Sequence, residues 1–135
     1  MYVMAGRSHV TMIRLRDNKK FTLDITSALN PTEFGHISCR NIKRPAWCYI
    51  SANYEFRLAA FSLDYSHVSQ FHIDQDGESS SSVSSRVEKW GFHRSSASVY
   101  LSQPRASASP SGSQLIFSSD WYGTSEIGVY VLTAE

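Results

Sequence analysis

Cysteine is nearly absent from this chain of 135 residues. The two present, Cys39 and Cys48, are too few to staple a scaffold and lack the spacing of a zinc site. No run approaches the roughly 18 consecutive apolar residues of a membrane-spanning helix. Neither sign of charge is in excess. Thirteen Lys and Arg stand against twelve Asp and Glu, a formal +1, so no strong field draws the chain to nucleic acid or to an anionic membrane. Arg7, His9, Arg14 and Arg16 interrupt the apolar part of the N-terminus, which does not read as a secretory signal. The compartment stays open. A G-x-S-x-G elbow and a Gly-rich phosphate loop are both missing, which removes the usual signals of a serine hydrolase and of a nucleotide-binding fold. Helical periodicity is missing as well.

What remains is a chain with 41% hydrophobic and 13% aromatic residues, arranged in short alternating runs. Phe21, Leu23 and Ile25 alternate with Thr22, Asp24 and Thr26, the period of a half-buried strand. Further runs fall at 37–40, 46–51, 56–63, 68–73, 87–92, 114–118 and 127–132, about one strand per 10–15 residues, the rhythm of sandwiches, barrels and propellers. The expected fold is all-β, in one domain over residues 1–135. Residues 35–40, 46–51 and the run to Leu63 should form consecutive antiparallel strands of one sheet. Strand period two sends Leu115 and Phe117 to one face and Ile116 to the other, with Leu115, Phe117, Trp47 and Phe61 expected in the core.

Serine is over-represented, and 17 of the 24 serines lie after residue 78. Gly77–Ser85 reads as an exposed surface insertion, too polar to bury itself and removable at little cost. Cys39 and Cys48 lie nine positions apart and could face each other across a hairpin. Two reduced, buried thiols are the default expectation, because nothing in the sequence sets the register.

Several motifs form a connected series. Gly35-His36-Ile37-Ser38-x-Arg40 is followed by Arg44-Pro45-x-Trp47-x-Tyr49-Ile50-Ser51 and by Phe61-Ser62-Leu63-Asp64-x-Ser66. Then come His93-Arg94-Ser95, Gln103-Pro104-Arg105-Ala106-Ser107-x-Ser109-Pro110-x-Gly112 and Phe117-x-Ser119-Asp120-Trp121. The series resembles the C-terminal portion of bacterial β-propeller proteins of the TolB/WD-repeat-like kind, in which S-P-D-G-x-x-apolar-x-F-x-S-D marks the turn and second strand of a blade. The resemblance implies antiparallel four-stranded blades of a partial propeller. At about 40–45 residues per blade the chain would supply about three, fewer than a closed ring, so a fragment of a longer propeller is expected. Ser111 stands where the repeat usually carries Asp.

Distantly similar oligogalacturonide-lyase-type propellers hold a divalent metal with several His and one Gln, in a Q-x-x-H-x-H-P motif. The matching stretch here keeps Gln103 but carries Arg105 in the segment of the histidine pair, and His36 is one further match. Two candidates do not complete a coordination shell, so no metal, no other cofactor and no catalytic residue is expected. Ligand-binding candidates are His36, Arg40, His93, Arg94, Gln103, Arg105 and Trp121. Guanidinium forks match carboxylates and Trp121 offers a stacking face, which suits an acidic carbohydrate or the acidic loop of a protein partner. Asp120 reads as a turn cap. The leading function is a non-enzymatic ligand- or protein-binding module. The alternative is a polysaccharide-lyase-like or hydrolase-like enzyme acting on an acidic carbohydrate. Unpaired sheet edges also invite self-association.

Overall fold

The computed structural model describes residues 2–5, 10–24, 34–52, 57–63, 68–73, 79–84, 86–124 and 126–134. Twelve strands run along the described chain: β1 (Tyr2–Ala5), β2 (Val10–Arg14), β3 (Lys19–Asp24), β4 (Phe34–Ser38), β5 (Trp47–Ala52), β6 (Arg57–Ser62), β7 (Val68–Ile73), β8 (Ser79–Ser84), β9 (Val87–Phe92), β10 (Ser107–Ala108), β11 (Gln114–Ser119) and β12 (Gly128–Thr133). A single 3-10 turn, Tyr100–Ser102, separates β9 from β10. The protein is all-β.

The strands form three open sheets, ordered β1-β2-β3-β8-β7, β4-β5-β6-β9 and β10-β11-β12. The four-stranded sheet is the middle layer, and its registers show why. Cys48 faces Phe61 and Ile50 faces Ala59, and these side chains join Val10, Met12, Phe21 and Leu23 of the first sheet in one core. The intervening pairs, Tyr49 with Ala60 and Ser51 with Leu58, point the other way. There Tyr49, Leu58 and Ala60 pack on Ala106, Ala108, Leu115 and Phe117 of the third sheet. Both faces of β5 and β6 are therefore covered, and each reads as an almost unbroken buried run instead of an alternating one.

The consecutive antiparallel pairing of β4, β5 and β6 is as the alternation predicts. Leu115 and Phe117 are buried while Ile116 is 48% exposed, the outcome of a period-two strand with one covered face. Phe61 is fully buried. Trp47 differs from expectation in being only half-buried. Two guanidinium groups stand near its ring, Arg44 at 4.2 Å and Arg86 at 5.6 Å from the centroid, so cations hold the ring together with its packing on the second core.

Three corrections concern covalent and sheet structure. Cys39 and Cys48 are joined as a disulfide and are not two free thiols. Ser38 pairs with Tyr49, so the same register sets Cys39 opposite Cys48, with their Cα atoms 4.3 Å apart. That is the close spacing of a non-hydrogen-bonded antiparallel pair, within reach of a bridge. The serine run is not a loop in its described part. Ser79–Ser84 is β8, which pairs antiparallel with β7 and parallel with β3. A strand needs only backbone donors and acceptors from its neighbours, and β3 and β7 supply them on either side. The remainder of the 77–85 insertion lies outside the described residues. Finally, the β3–β8 pairing makes the first sheet mixed, not wholly antiparallel.

One turn joins two layers. The Tyr49 hydroxyl donates to the Gly112 carbonyl at 2.7 Å across the interface of the middle and third sheets. Gly112 adopts φ +73°, and a Cβ there would stand 2.7 Å from the Tyr49 oxygen and 3.0 Å from Arg44 Cδ. Glycine is required by both the conformation and the close approach.

Candidate binding site

The strands β5, β9 and β11 finish at one end of the stack, and a buried polar frame ties their ends together. The His93 ring is fully buried. Its Nδ1 accepts the Ser95 N–H at 3.0 Å, so the proton sits on Nε2, which donates to the Ala52 carbonyl at 2.7 Å. Burial pushes the His93 imidazole down from its ordinary value, and the Ala52 carbonyl and Asp120 only partly offset this. Ser95 Oγ donates to the Ser102 carbonyl, with Asp120 Oδ1 at 3.3 Å as the second acceptor of the same proton. The Asp120 carboxylate also accepts the Ser96 N–H at 2.7 Å and the Ser96 hydroxyl. Burial pushes the Asp120 carboxyl up, but the hydrogen bonds from Ser96, Gly123 and Ser95 outweigh it and hold the group below the usual carboxylate range. Ser51 Oγ donates to the Pro104 carbonyl and Ser118 Oγ to the Gln103 carbonyl, which completes the frame.

Exposed side chains of another kind stand on this frame. Arg94, Trp121 and Tyr122 all adopt left-handed backbone, with φ of 54°, 45° and 68°. For bulky residues this conformation is strained, and the strain is held here by neighbouring bonds. The Tyr122 N–H donates to the Arg94 carbonyl at 2.6 Å. The Arg94 guanidinium lies 5.4 Å from the Trp121 ring centroid and 5.7 Å from that of Tyr122, and donates to the Tyr122 hydroxyl at 3.1 Å. Arg105 stacks over Tyr100 at 4.0 Å and donates to the Tyr100 carbonyl at 3.0 Å. Val99 and Leu101 flank Tyr100 and are exposed with it.

The sequence-derived candidates divide accordingly. Arg94 and Trp121 are brought into contact, and Arg105 is exposed at the same end. His93 is not a ligand-facing group: both ring nitrogens are engaged in the interior, and its role is to hold β5 to the 93–95 segment. His36 sits in β4 opposite Ser51, with its N–H and carbonyl both bonded to the Ser51 hydroxyl. Gln103 donates its N–H to the Tyr100 carbonyl and accepts Ser118 Oγ, so its backbone belongs to the frame. Arg40 does not join the others, since it follows the far end of β4 beside the disulfide. Among the described residues no three His, Cys, Asp or Glu side chains gather as a metal-holding group.

Sequence reasoning missed Tyr100 and Tyr122. Tyr100 lies five residues before Arg105 and Tyr122 lies 28 residues after Arg94, and only the fold brings each ring and guanidinium face to face. It also missed a groove of about 580 Å³ at the opposite end, lined by Arg44, Glu88, Lys89, Trp90, Gly112 and Thr133 among others. There Arg44 Nη2 donates to both Glu88 oxygens at 2.9 Å, which satisfies most of its charge internally. Comparison with protein-family models, with curated proteins and with solved structures finds no match for this chain.

Proposed function

We propose that the protein is a non-enzymatic binding module built from propeller-like blades, and that Arg94, Trp121, Tyr122, Tyr100 and Arg105 form its recognition surface. The partner is an acidic, partly apolar segment of another protein. The observation that carries this reading is the strained left-handed backbone at Arg94, Trp121 and Tyr122, which holds one arginine and two aromatic rings out toward solvent. Strain of this kind concentrates where function requires it. Trp, Tyr and Arg are the residues that anchor protein interfaces, and the flanking aliphatic Val99 and Leu101 favour a protein segment over a sugar. The layered sheets, with four strands in the middle one, support the blade reading.

The test titrates a labelled Glu-rich peptide carrying one apolar residue, beside a short uronate oligomer. Peptide binding should weaken roughly tenfold in Arg94→Ala and again in Arg105→Ala, and should fall with added salt. Tyr122→Gly should lose binding while folding stability stays within about 1 kcal/mol, since glycine relieves the left-handed conformation at the expense of its own chain entropy. Peptide affinity unchanged in the double arginine variant would refute the proposal. Manganese-dependent cleavage of the oligomer, abolished in His36→Ala, would establish the enzymatic alternative in its place.

A further inference from the structure

The groove of about 580 Å³ differs in chemistry from the surface around Arg94. β9 starts beside it and finishes at Phe92, so the length of a strand separates the two. Its walls come from the loop that carries Arg44, the start of β9, the β10–β11 turn and the end of β12. Ser111, Ser113 and Thr133 bring hydroxyls, Arg44 and Glu88 an ion pair, and Trp90 an aromatic ring. The ion pair is partly open to water, at 27% for the Arg44 side chain and 39% for that of Glu88. Arg44 Nη2 donates to both Glu88 oxygens at 2.9 Å, and Nη1 donates to the Tyr49 hydroxyl at 3.4 Å. Each Glu88 oxygen accepts one of these bonds and keeps a second lone pair. Arg44 Nε has no partner among the described residues. The pair is neutral as a unit, yet it offers acceptors and a donor side by side. It is also held in place before any guest arrives: the guanidinium lies over the Trp47 ring at 4.2 Å, and Trp90 stands T-shaped to Tyr49 at 5.3 Å.

We propose that this groove binds a neutral sugar, a mono- or disaccharide that presents vicinal hydroxyls. The chemistry of the walls selects that class. A hydroxyl both donates and accepts, so two neighbouring hydroxyls match a carboxylate and a guanidinium standing together. A sugar ring carries hydroxyls round its rim and C–H groups on its faces, which suits polar walls with one aromatic ring among them. A wholly apolar guest would take the hydroxyls and the ion pair out of water without giving them partners. An anion would meet the Glu88 carboxylate, which already holds the Arg44 charge, while the lining Lys89 is exposed and screened by salt. The volume lies within the range of small-ligand sites. Ser113, Thr133 and Ala134 are exposed, so the guest stays partly in water and binds weakly, with a dissociation constant of about 1 mM.

The test titrates the full chain with methyl β-glucopyranoside, methyl α-mannopyranoside, cellobiose and maltose to about 50 mM, far above such a constant. Backbone amide and indole signals are followed by nitrogen-correlated NMR. At least one of these sugars should shift the signals of Glu88, Trp90, Gly112 and Ser113, while those of Arg94 and Tyr122 stay in place. Glu88→Gln should weaken that sugar about fivefold, because a charged acceptor is lost. Ser113→Trp, at an exposed turn position, should fill the groove and abolish the shifts, with circular dichroism confirming that the sheets persist. Arg94→Ala should leave sugar affinity unchanged, which keeps this site distinct from the peptide surface. Absence of shifts with all of the sugars, or shifts that survive Ser113→Trp, would overturn the proposal. Galacturonate bound about tenfold more tightly than any neutral sugar, and released in Lys89→Gln, would also overturn it and make the groove a carboxylate site.

Discussion

His93 carries the most direct consequence at the scale of single residues. Its folded-state value lies below the ordinary 6.5, so below that pH the unfolded chain binds a proton that the folded chain resists. Stability attributable to His93 is fully present above about pH 6.5 and is lost as the pH falls from there through the folded value. Urea midpoints measured between pH 7.5 and 5 should decline, and His93→Gln, which keeps a donor and an acceptor, should flatten that decline. Asp120 acts lower on the scale. Its depressed value adds stability that is present above the ordinary carboxylate range and lost as acid protonates it. Phe117 tests the core directly. It is 6% exposed and stacks on Tyr130 with centroids 5.8 Å apart, so Phe117→Ala should cost about 3–5 kcal/mol in chemical denaturation. A loss below about 1 kcal/mol would place that ring at the surface.

Elements show where sequence and structure part company. The β4, β5, β6 and β11 strands were legible because apolar side chains mark them at every second position or in short unbroken runs. β8 was not legible, since Ser79–Ser84 carries a single apolar residue, Val83, in a run of serines, and its place as a strand comes from backbone pairing with its neighbours. Low hydrophobicity reports what a segment can bury and says nothing of the donors a neighbouring strand leaves open. Deleting Ser79–Ser84 should therefore lower the thermal midpoint clearly, because β3 loses the partner on one of its two edges and β7 loses its pairing with β8; an unchanged midpoint would show that the pairing adds nothing. The disulfide was hidden for a related reason: nine residues of separation become a contact only once Ser38 is known to face Tyr49. Replacing both cysteines with serine should cost about 2–3 kcal/mol for so short a loop, read as a shift in urea midpoint under oxidising conditions. Of the five residues of the proposed recognition surface, Arg94, Arg105 and Trp121 were visible in the sequence. Tyr100 and Tyr122 were not, because nothing in the sequence marks the 3-10 turn at Tyr100 or the positive φ at Tyr122.

For the whole molecule, the middle sheet is the structural centre, and the chain reaches it by an indirect path. After β6 the backbone leaves that sheet, builds the β7–β8 hairpin on the first sheet, and returns as β9 to complete the second. The two layers are thus joined by interleaved pairing as well as by packing. The parallel β3–β8 pairing carries a consequence for synthesis on the ribosome. β3 ends at Asp24 and its partner ends at Ser84, so sixty residues must follow before that edge can close. At about 5–20 residues per second, β3 waits some 3–12 seconds with the donors and acceptors of its β8-facing edge unpaired, while β2 pairs the other edge. Through that interval the nascent chain presents an open edge to its neighbours, and the rate of translation past residue 84 sets how long it does so.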